Sequence, residues 1–107
     1  MEVISTNKDH VYTLLFRGEL DHHSAKEAIR EMELTLYTAL PKHLLLDFSD
    51  VTFMDSSGIA LAVRAQRRMA ALGGMALLCN VPPQAKKVFE AAGIPRIVPI
   101  LEEGKNG

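Results

Sequence analysis

The stretch HLLLDF, at residues 43–48, carries apolar side chains on both faces of an extended chain. A short continuous apolar run is typical of a central strand that helices cover on both sides, because a strand with one face in water alternates apolar and polar residues. Parallel neighbours of such a strand need helical crossovers. The run therefore favours a mostly parallel sheet, with helices supplied by the rest of the 107-residue chain.

Strand and helix signals alternate along the chain. Runs rich in β-branched and aromatic residues around turn residues 7–9 predict an opening hairpin. Apolar residues at helical spacing, bounded by caps, glycine and proline, predict helices. The predicted strands are residues 3–4, 11–16, 43–48, 75–79 and 97–101, and the predicted helices are residues 24–39, 59–72 and 84–92. This order predicts one α/β domain over residues 1–101, with a mostly parallel sheet, an N-terminal hairpin and flanking helices, and a polar tail at residues 102–107.

Two residues compete for the cap of the first predicted helix. Ser24 and Glu27 fit a capping box, in which the serine hydroxyl accepts the backbone N–H at the third helical position and the glutamate reaches back. Asp21 lies three residues earlier and could cap the helix from just outside. We expect Ser24 to be the cap and Asp21 to support it.

Charge and composition exclude several classes of protein. The chain has 12 basic and 13 acidic residues, a net charge of -1, so it lacks the field needed for nonspecific binding to nucleic acid or anionic membranes. No apolar run approaches the ~20 residues that cross a bilayer. Cys79 is the only cysteine and lies in an apolar run, which favours a core position. We expect a cytoplasmic protein with no direct nucleic-acid contact and no membrane insertion.

The stretch FMDSSGIA, at residues 53–60, follows the predicted central strand. In sheets of this class, ligands and partners usually meet the carboxyl ends of the strands. Asp55, Ser56 and Ser57 are all good helix caps, and Gly58 allows close packing in the first helical turn. One cap would suffice, so a second role for this loop stays open.

The sequence gives little support for catalysis or for metal binding. A nucleophilic serine in a strand-to-helix elbow requires a G-x-S-x-G pattern, and Met54 stands where the first glycine would be. No histidine follows His43 in the chain, although an earlier one could supply a base. A phosphate-binding loop would require more glycine and a lysine. The adjacent His22 and His23 lack the spacing that brings metal ligands together. We expect no metal site and no enzyme.

Three arginines lie on one face of the second predicted helix. Arg64, Arg67 and Arg68 follow the i, i+3, i+4 spacing of neighbours on a helical surface. Such a polar helical face commonly lies in solvent and has no binding role. Alternatively it flanks the loop at Ser56 and meets acidic groups of a partner, for which arginine is well suited.

Three motifs together resemble a known family. The segments GELDHHSA at residues 18–25, LDFSD at residues 46–50 and FMDSSG at residues 53–58 are similar to those of the anti-sigma factor antagonists, the bacterial members of the STAS domain family. The resemblance is closest to the sporulation member that counteracts the anti-sigma factor of sigma-F. It implies the STAS fold over nearly the whole chain.

The resemblance also implies a phosphorylation switch at Ser56. The kinase would be the anti-sigma factor itself, with its own ATP and magnesium, and a PP2C-type phosphatase would reverse the step. The unmodified antagonist would bind the anti-sigma factor and free the sigma factor, while the phosphorylated form would be released. Residues expected to bind the partner or orient the acceptor are Asp21, Asp55, Ser57, Gly58, Arg64, Arg67 and Arg68. The alternative is a STAS module with another partner, in a stress-signalling complex or beside a transporter.

Overall fold

A four-stranded sheet with helices connecting its parallel strands forms the framework. The computed structural model describes residues 1–102, so most of the predicted tail, residues 103–107, lies outside the described residues. The strands are β1 (Glu2–Lys8), β2 (Val11–Leu20), β3 (His43–Met54) and β4 (Met75–Cys79), and the helices are α1 (His22–Ala39), α2 (Gly58–Ala71) and α3 (Pro83–Ala91). The sheet order is β1-β2-β3-β4, antiparallel in the first pair and parallel in the others. The predicted α/β class, hairpin and mostly parallel sheet are confirmed.

The hairpin turn is shorter than the sequence suggests. Strand pairing continues to Lys8 and Val11, which leaves only Asp9 and His10 in the loop. Both have positive φ, 53° and 67°. This is the geometry of a two-residue hairpin turn whose twist matches that of the strands, and aspartate tolerates it well.

Strand β3 continues past the predicted end at Phe48 as far as Met54. The sequence pattern did not show this extension because the alternation of core-facing residues is interrupted twice. Leu15 pairs with Asp47 and Leu20 with Met54, with two register shifts between them. Seven steps of β3 thus oppose five steps of β2, and the extra residues form bulges. The core-facing residues fall at changing intervals: Leu44, Leu46, Phe48, Val51 and Met54. More than half of the segment between the predicted strand at residues 43–48 and the predicted helix at residues 59–72 is therefore strand.

The core lies mainly on one face of the sheet. Phe48 is at its centre, with its ring centroid 5.5 Å from that of Phe16 and 5.5 Å from that of Phe89 on α3. All three helices contribute buried residues to this cluster. Side chains on the opposite face keep partial exposure: Leu15, Leu45 and Leu77. Equal cover on both faces of the central strand, expected from its composition, is therefore not observed.

The strand predicted at residues 97–101 is wrong. A short 3-10 helix at Ile94–Arg96 precedes a segment that meets β4 through one isolated bridge, between Leu78 and Ile100. Leu78 N–H donates to Pro99 O at 2.9 Å, and Leu101 N–H donates to Leu78 O at 2.7 Å. Proline at position 99 lacks the N–H that a longer ladder would use.

Candidate functional site

The loop between β3 and α2 is fixed at its base from two sides. The side-chain amide of Gln84, in the first turn of α3, donates to Met54 O and accepts from Met54 N–H, each at 2.8 Å. Asp55 N–H donates to Leu20 O at 3.2 Å, at the end of β2. The loop therefore leaves the sheet at its carboxyl edge with a defined direction.

Asp55 performs the capping role for which three residues were candidates. Its carboxylate oxygen Oδ1 accepts Ser57 N–H at 2.8 Å, as in an Asx-turn. Its backbone oxygen accepts Gly58 N–H at 3.1 Å. Ser57 occupies the N-cap position but makes no side-chain cap hydrogen bond. The start of α2 is thus stabilised without either serine hydroxyl.

Ser56 is exposed at the start of α2. Within residues 1–102 its hydroxyl makes no hydrogen bond, whereas its backbone oxygen accepts Ile59 N–H at 3.1 Å. The side chain therefore contributes little to holding the loop, and it is accessible to another protein. Its role as acceptor stays a prediction.

Gly58 is buried where α2 crosses the ends of the strands. A Cβ at this position would clash with Sδ and Cγ of Met54 and lie 3.0 Å from Cδ2 of Leu20. A larger residue at position 58 would therefore require the side chain of Met54 to shift, which favours glycine.

Asp21 is the true cap of α1, and the expected Ser24–Glu27 capping box is wrong. Because α1 begins at His22, Ser24 is its third residue. Ser24 N–H donates to Asp21 Oδ1 and Asp21 N–H donates to Ser24 Oγ, each at 2.9 Å. The Ser24 hydroxyl also lies 2.7 Å from Glu19 O and 3.0 Å from Asp21 Oδ1, and its one proton can be donated to either acceptor. The bond from Ser24 N–H, then that from its hydroxyl, lowers the pKa of Asp21.

Asp21 and Asp55 follow the ends of neighbouring strands. Leu20, directly before Asp21, accepts the N–H of Asp55, so both acids lie at the edge of the sheet from which the Ser56 loop leaves. The carboxylate of Asp21 is engaged with Ser24. That it orients Ser56 stays a prediction.

The three arginines of α2 are not equivalent. Arg64 and Arg68 each place Nε 3.3 Å from Oε2 of Glu33, which links α2 to α1. Arg67 is exposed and makes no ion pair within the described part of the chain. Arg67 is therefore the member of the set that is available to a partner.

An open apolar groove of about 460 Å³ adjoins Ser56, between α2 and α3. Its lining consists of Ser56, Ile59, Lys87, Val88, Ala91 and Ala92. Phe53, one residue before the end of β3, is also exposed. Sequence reasoning missed the bonds of Gln84 and the place of Lys87 in the groove lining because neither residue belongs to a motif. The sole hint was their place in the helix that follows the Pro82-Pro83 pair.

Neither a metal site nor a membrane-spanning helix is present among residues 1–102. No group of three or more His, Cys, Asp and Glu side chains is placed to hold a metal ion. His22 and His23 are both exposed, and His23 Nε2 lies 3.4 Å from Glu27 Oε2. None of the described helices has the length and apolarity needed to span a bilayer.

Comparisons with known proteins agree with this architecture. An anti-sigma F factor antagonist of Paenibacillus polymyxa is 28% identical over 89 residues, 83% of this chain and 76% of that protein. One of Lysinibacillus sphaericus is 30% identical over 77 residues, 72% of this chain and 66% of that protein. The solved anti-sigma factor antagonist SpoIIAA shares the fold at 24% identity, with a TM-score of 0.79 in its unphosphorylated form, over 95% of this chain and 90% of that one. The phosphorylated form of SpoIIAA has a TM-score of 0.71 at 24% sequence identity, over 95% of this chain and 93% of that one. Since the family model of the STAS domain matches residues 2–104, the chain belongs to the STAS domain family.

Proposed function

We propose that this chain is an anti-sigma factor antagonist, a binding protein without catalysis of its own, and that phosphorylation of Ser56 switches its binding off. The unmodified form binds an anti-sigma factor serine kinase and frees a sigma factor. The kinase uses its own ATP and magnesium to phosphorylate Ser56, and a PP2C-type phosphatase restores the binding form. The names of the two relatives and the two solved forms of SpoIIAA support this proposal.

The observation that carries the proposal is the exposed, unengaged hydroxyl of Ser56. Asp55 has taken over the cap, so modification of Ser56 removes no hydrogen bond among residues 1–102. A phosphoserine adds about -1.5 to -2 charges. Near a helix N-terminus an anion is favourable by roughly 0.3–1 kcal/mol. The fold should therefore tolerate the phosphate.

The switch then acts at the docking surface. Burying an uncompensated charge against a partner costs several kcal/mol, and Asp55 beside Ser56 adds further negative charge. A loss of about 4 kcal/mol weakens binding roughly a thousandfold. The apolar groove gives the unmodified surface the apolar character suited to an interface core.

A phosphorylation assay tests the proposal. The chain is incubated with a purified anti-sigma factor kinase, ATP and magnesium, and the product is analysed by mass spectrometry. We expect one added phosphate on Ser56, none in Ser56→Ala, and normal modification in the matched control Ser57→Ala. A PP2C-type phosphatase should remove it. No phosphate, with a kinase that modifies its own antagonist, would overturn the proposal and favour a STAS module for another partner.

A binding assay tests the switch itself. Ser56→Asp should keep the melting temperature of the parent chain and bind the kinase at least a hundredfold more weakly, on the order expected for a buried charge at an interface. Ser57→Asp is the control for an added carboxylate in the same turn. A fall in melting temperature with unchanged affinity would contradict the switch.

A further inference from the structure

The two walls of the groove beside Ser56 are held rigidly together. Ser56 and Ile59 form one wall, at the start of α2, and Lys87 and Val88 belong to α3. Gln84, one turn before Lys87, is bonded to both backbone groups of Met54, two residues before Ser56. The same scaffold therefore sets the positions of Ser56 and Lys87.

The charges around Ser56 differ on its two sides. On the loop side, the negative charge of Asp55 would repel a phosphate on Ser56, and Asp55 Oδ1 already accepts Ser57 N–H. On the groove side, Lys87 is exposed and forms no ion pair within the described residues. Its neighbour Lys86 instead pairs with Glu102 at 3.0 Å. Glu90, on the next turn of α3, is the nearest acid in sequence to Lys87 on that helix.

We propose that Lys87 is the internal counter-charge of phosphorylated Ser56, and that the phosphate pairs with its ammonium group across the groove. This inference rests on the proposed function. A phosphoserine offers three acceptor oxygens, and a lysine is a point charge on a flexible stem that can reach them. Ile59 and Val88, which line the groove with Ser56 and Lys87, give the pair an apolar surrounding.

Phosphorylation then changes the docking surface in two ways. It adds charge at Ser56, and it covers the groove with an internal ion pair.

The ionisation of the phosphate tests the pair. A chain carrying phosphoserine at position 56, incorporated during synthesis so that no kinase is needed, is titrated by phosphorus NMR. A nearby ammonium favours the dianion and lowers the second pKa of the phosphate. Lys87→Gln should raise that pKa by about half a unit, the size expected for an exposed ion pair. Lys87→Glu should raise it further.

Lys86→Gln is the matched control, since it removes the adjacent lysine outside the groove lining. It should leave the phosphate pKa at the parent value. Equal titration of the parent and Lys87→Gln, or an equal rise in Lys86→Gln, would overturn the inference. The titration is independent of the kinase assay, so failure of the proposed function and failure of the Lys87 pairing are separate results.

Discussion

Gln84 holds Met54 by both of its backbone groups. Its amide oxygen accepts Met54 N–H and its amide nitrogen donates to Met54 O, each at 2.8 Å. This pair of bonds joins α3 to the end of β3 across thirty residues of sequence. It makes the Ser56 loop and the α3 side of the groove one surface.

Replacing Gln84 with glutamate should destabilise the chain and loosen the loop. A carboxylate still accepts Met54 N–H but cannot donate to Met54 O, so the free energy of unfolding should fall by about 1–3 kcal/mol. Urea denaturation measures the loss, and amide hydrogen exchange at Met54 and Asp55 measures the loosening.

Gln66→Glu is the control for that variant. Gln66 makes similar bonds to Ala76 and Ile97, away from the loop. The Gln66→Glu variant should lose a comparable free energy of unfolding, but its amide hydrogen exchange at Met54 should be no faster than in the parent chain. Unchanged exchange at Met54 in Gln84→Glu would contradict the proposed coupling.

Gly58→Ala should disturb the start of α2. Its Cβ would clash with Met54, and overpacking of this kind costs about 1–3 kcal/mol. The double variant Met54→Ala/Gly58→Ala tests the cause, because shortening Met54 removes the clashing atoms. Thermal or urea unfolding of the four chains should show a smaller alanine penalty in the Met54→Ala background, and strict additivity would exclude this explanation.

The Asp21 cap should make stability depend on pH in the acid range. Bonds from the backbone N–H and then the hydroxyl of Ser24 hold the pKa of Asp21 below its ordinary value of 3.8. The stabilisation is complete above the unfolded value and is lost as pH falls through the lower folded value. Asp21→Asn should lose less stability than the parent between pH 5 and pH 2 in urea denaturation.

A control separates this effect from general loss of charge. Glu31→Gln removes one carboxylate from the exposed face of α1. It should retain the parent's acid dependence. Identical acid profiles for Asp21→Asn and the parent would rule out the cap as a source.

Substitutions should show that Arg64 and Arg68 contribute to stability through Glu33, whereas Arg67 is free to contact a partner. Glu33→Gln removes the partner of Arg64 and Arg68 and should lower stability by at most about 1 kcal/mol, an effect that high salt suppresses. Arg67→Ala should stay within about 0.5 kcal/mol of the parent. If α2 flanks the docking surface, Arg67→Ala should also weaken kinase binding, measured by calorimetry. A stability loss in Arg67→Ala matching that in Glu33→Gln would contradict this division.

Sequence periodicity predicted which elements exist better than where they end. Helical spacing located all three helices to within one or two residues at their starts. The end of β3 was missed because two bulges change the interval between core residues after Phe48. Periodicity assumes a constant step, so an inserted residue looks like a strand end. At residues 97–101 an apolar run indicated a strand, but Pro99 limits pairing with β4 to one bridge.

Site prediction met a different limit. The loop at Ser56 stood out because it combines cap residues with the carboxyl end of a buried strand. Asp21 was a candidate cap, but the choice between Asp21 and Ser24 depended on a start of α1 that differs by two residues. Gln84 carried no signal because its bonds go to backbone groups, which every residue type except proline could supply at position 54.

The two bulges of β3 make the direction of its later side chains depend on the exact number of residues in the strand. Ser49 and Thr52 are exposed, and their neighbourhood would ordinarily be judged tolerant of length changes. Deleting a single residue there would instead shift the phase of everything downstream, turning Met54 outward and Phe53 inward, because side chains alternate along a strand. Ser56 would then be displaced with the rest of its loop. The chain should therefore accept many substitutions at the exposed positions 49, 52 and 53, yet tolerate few changes in the number of residues in this segment.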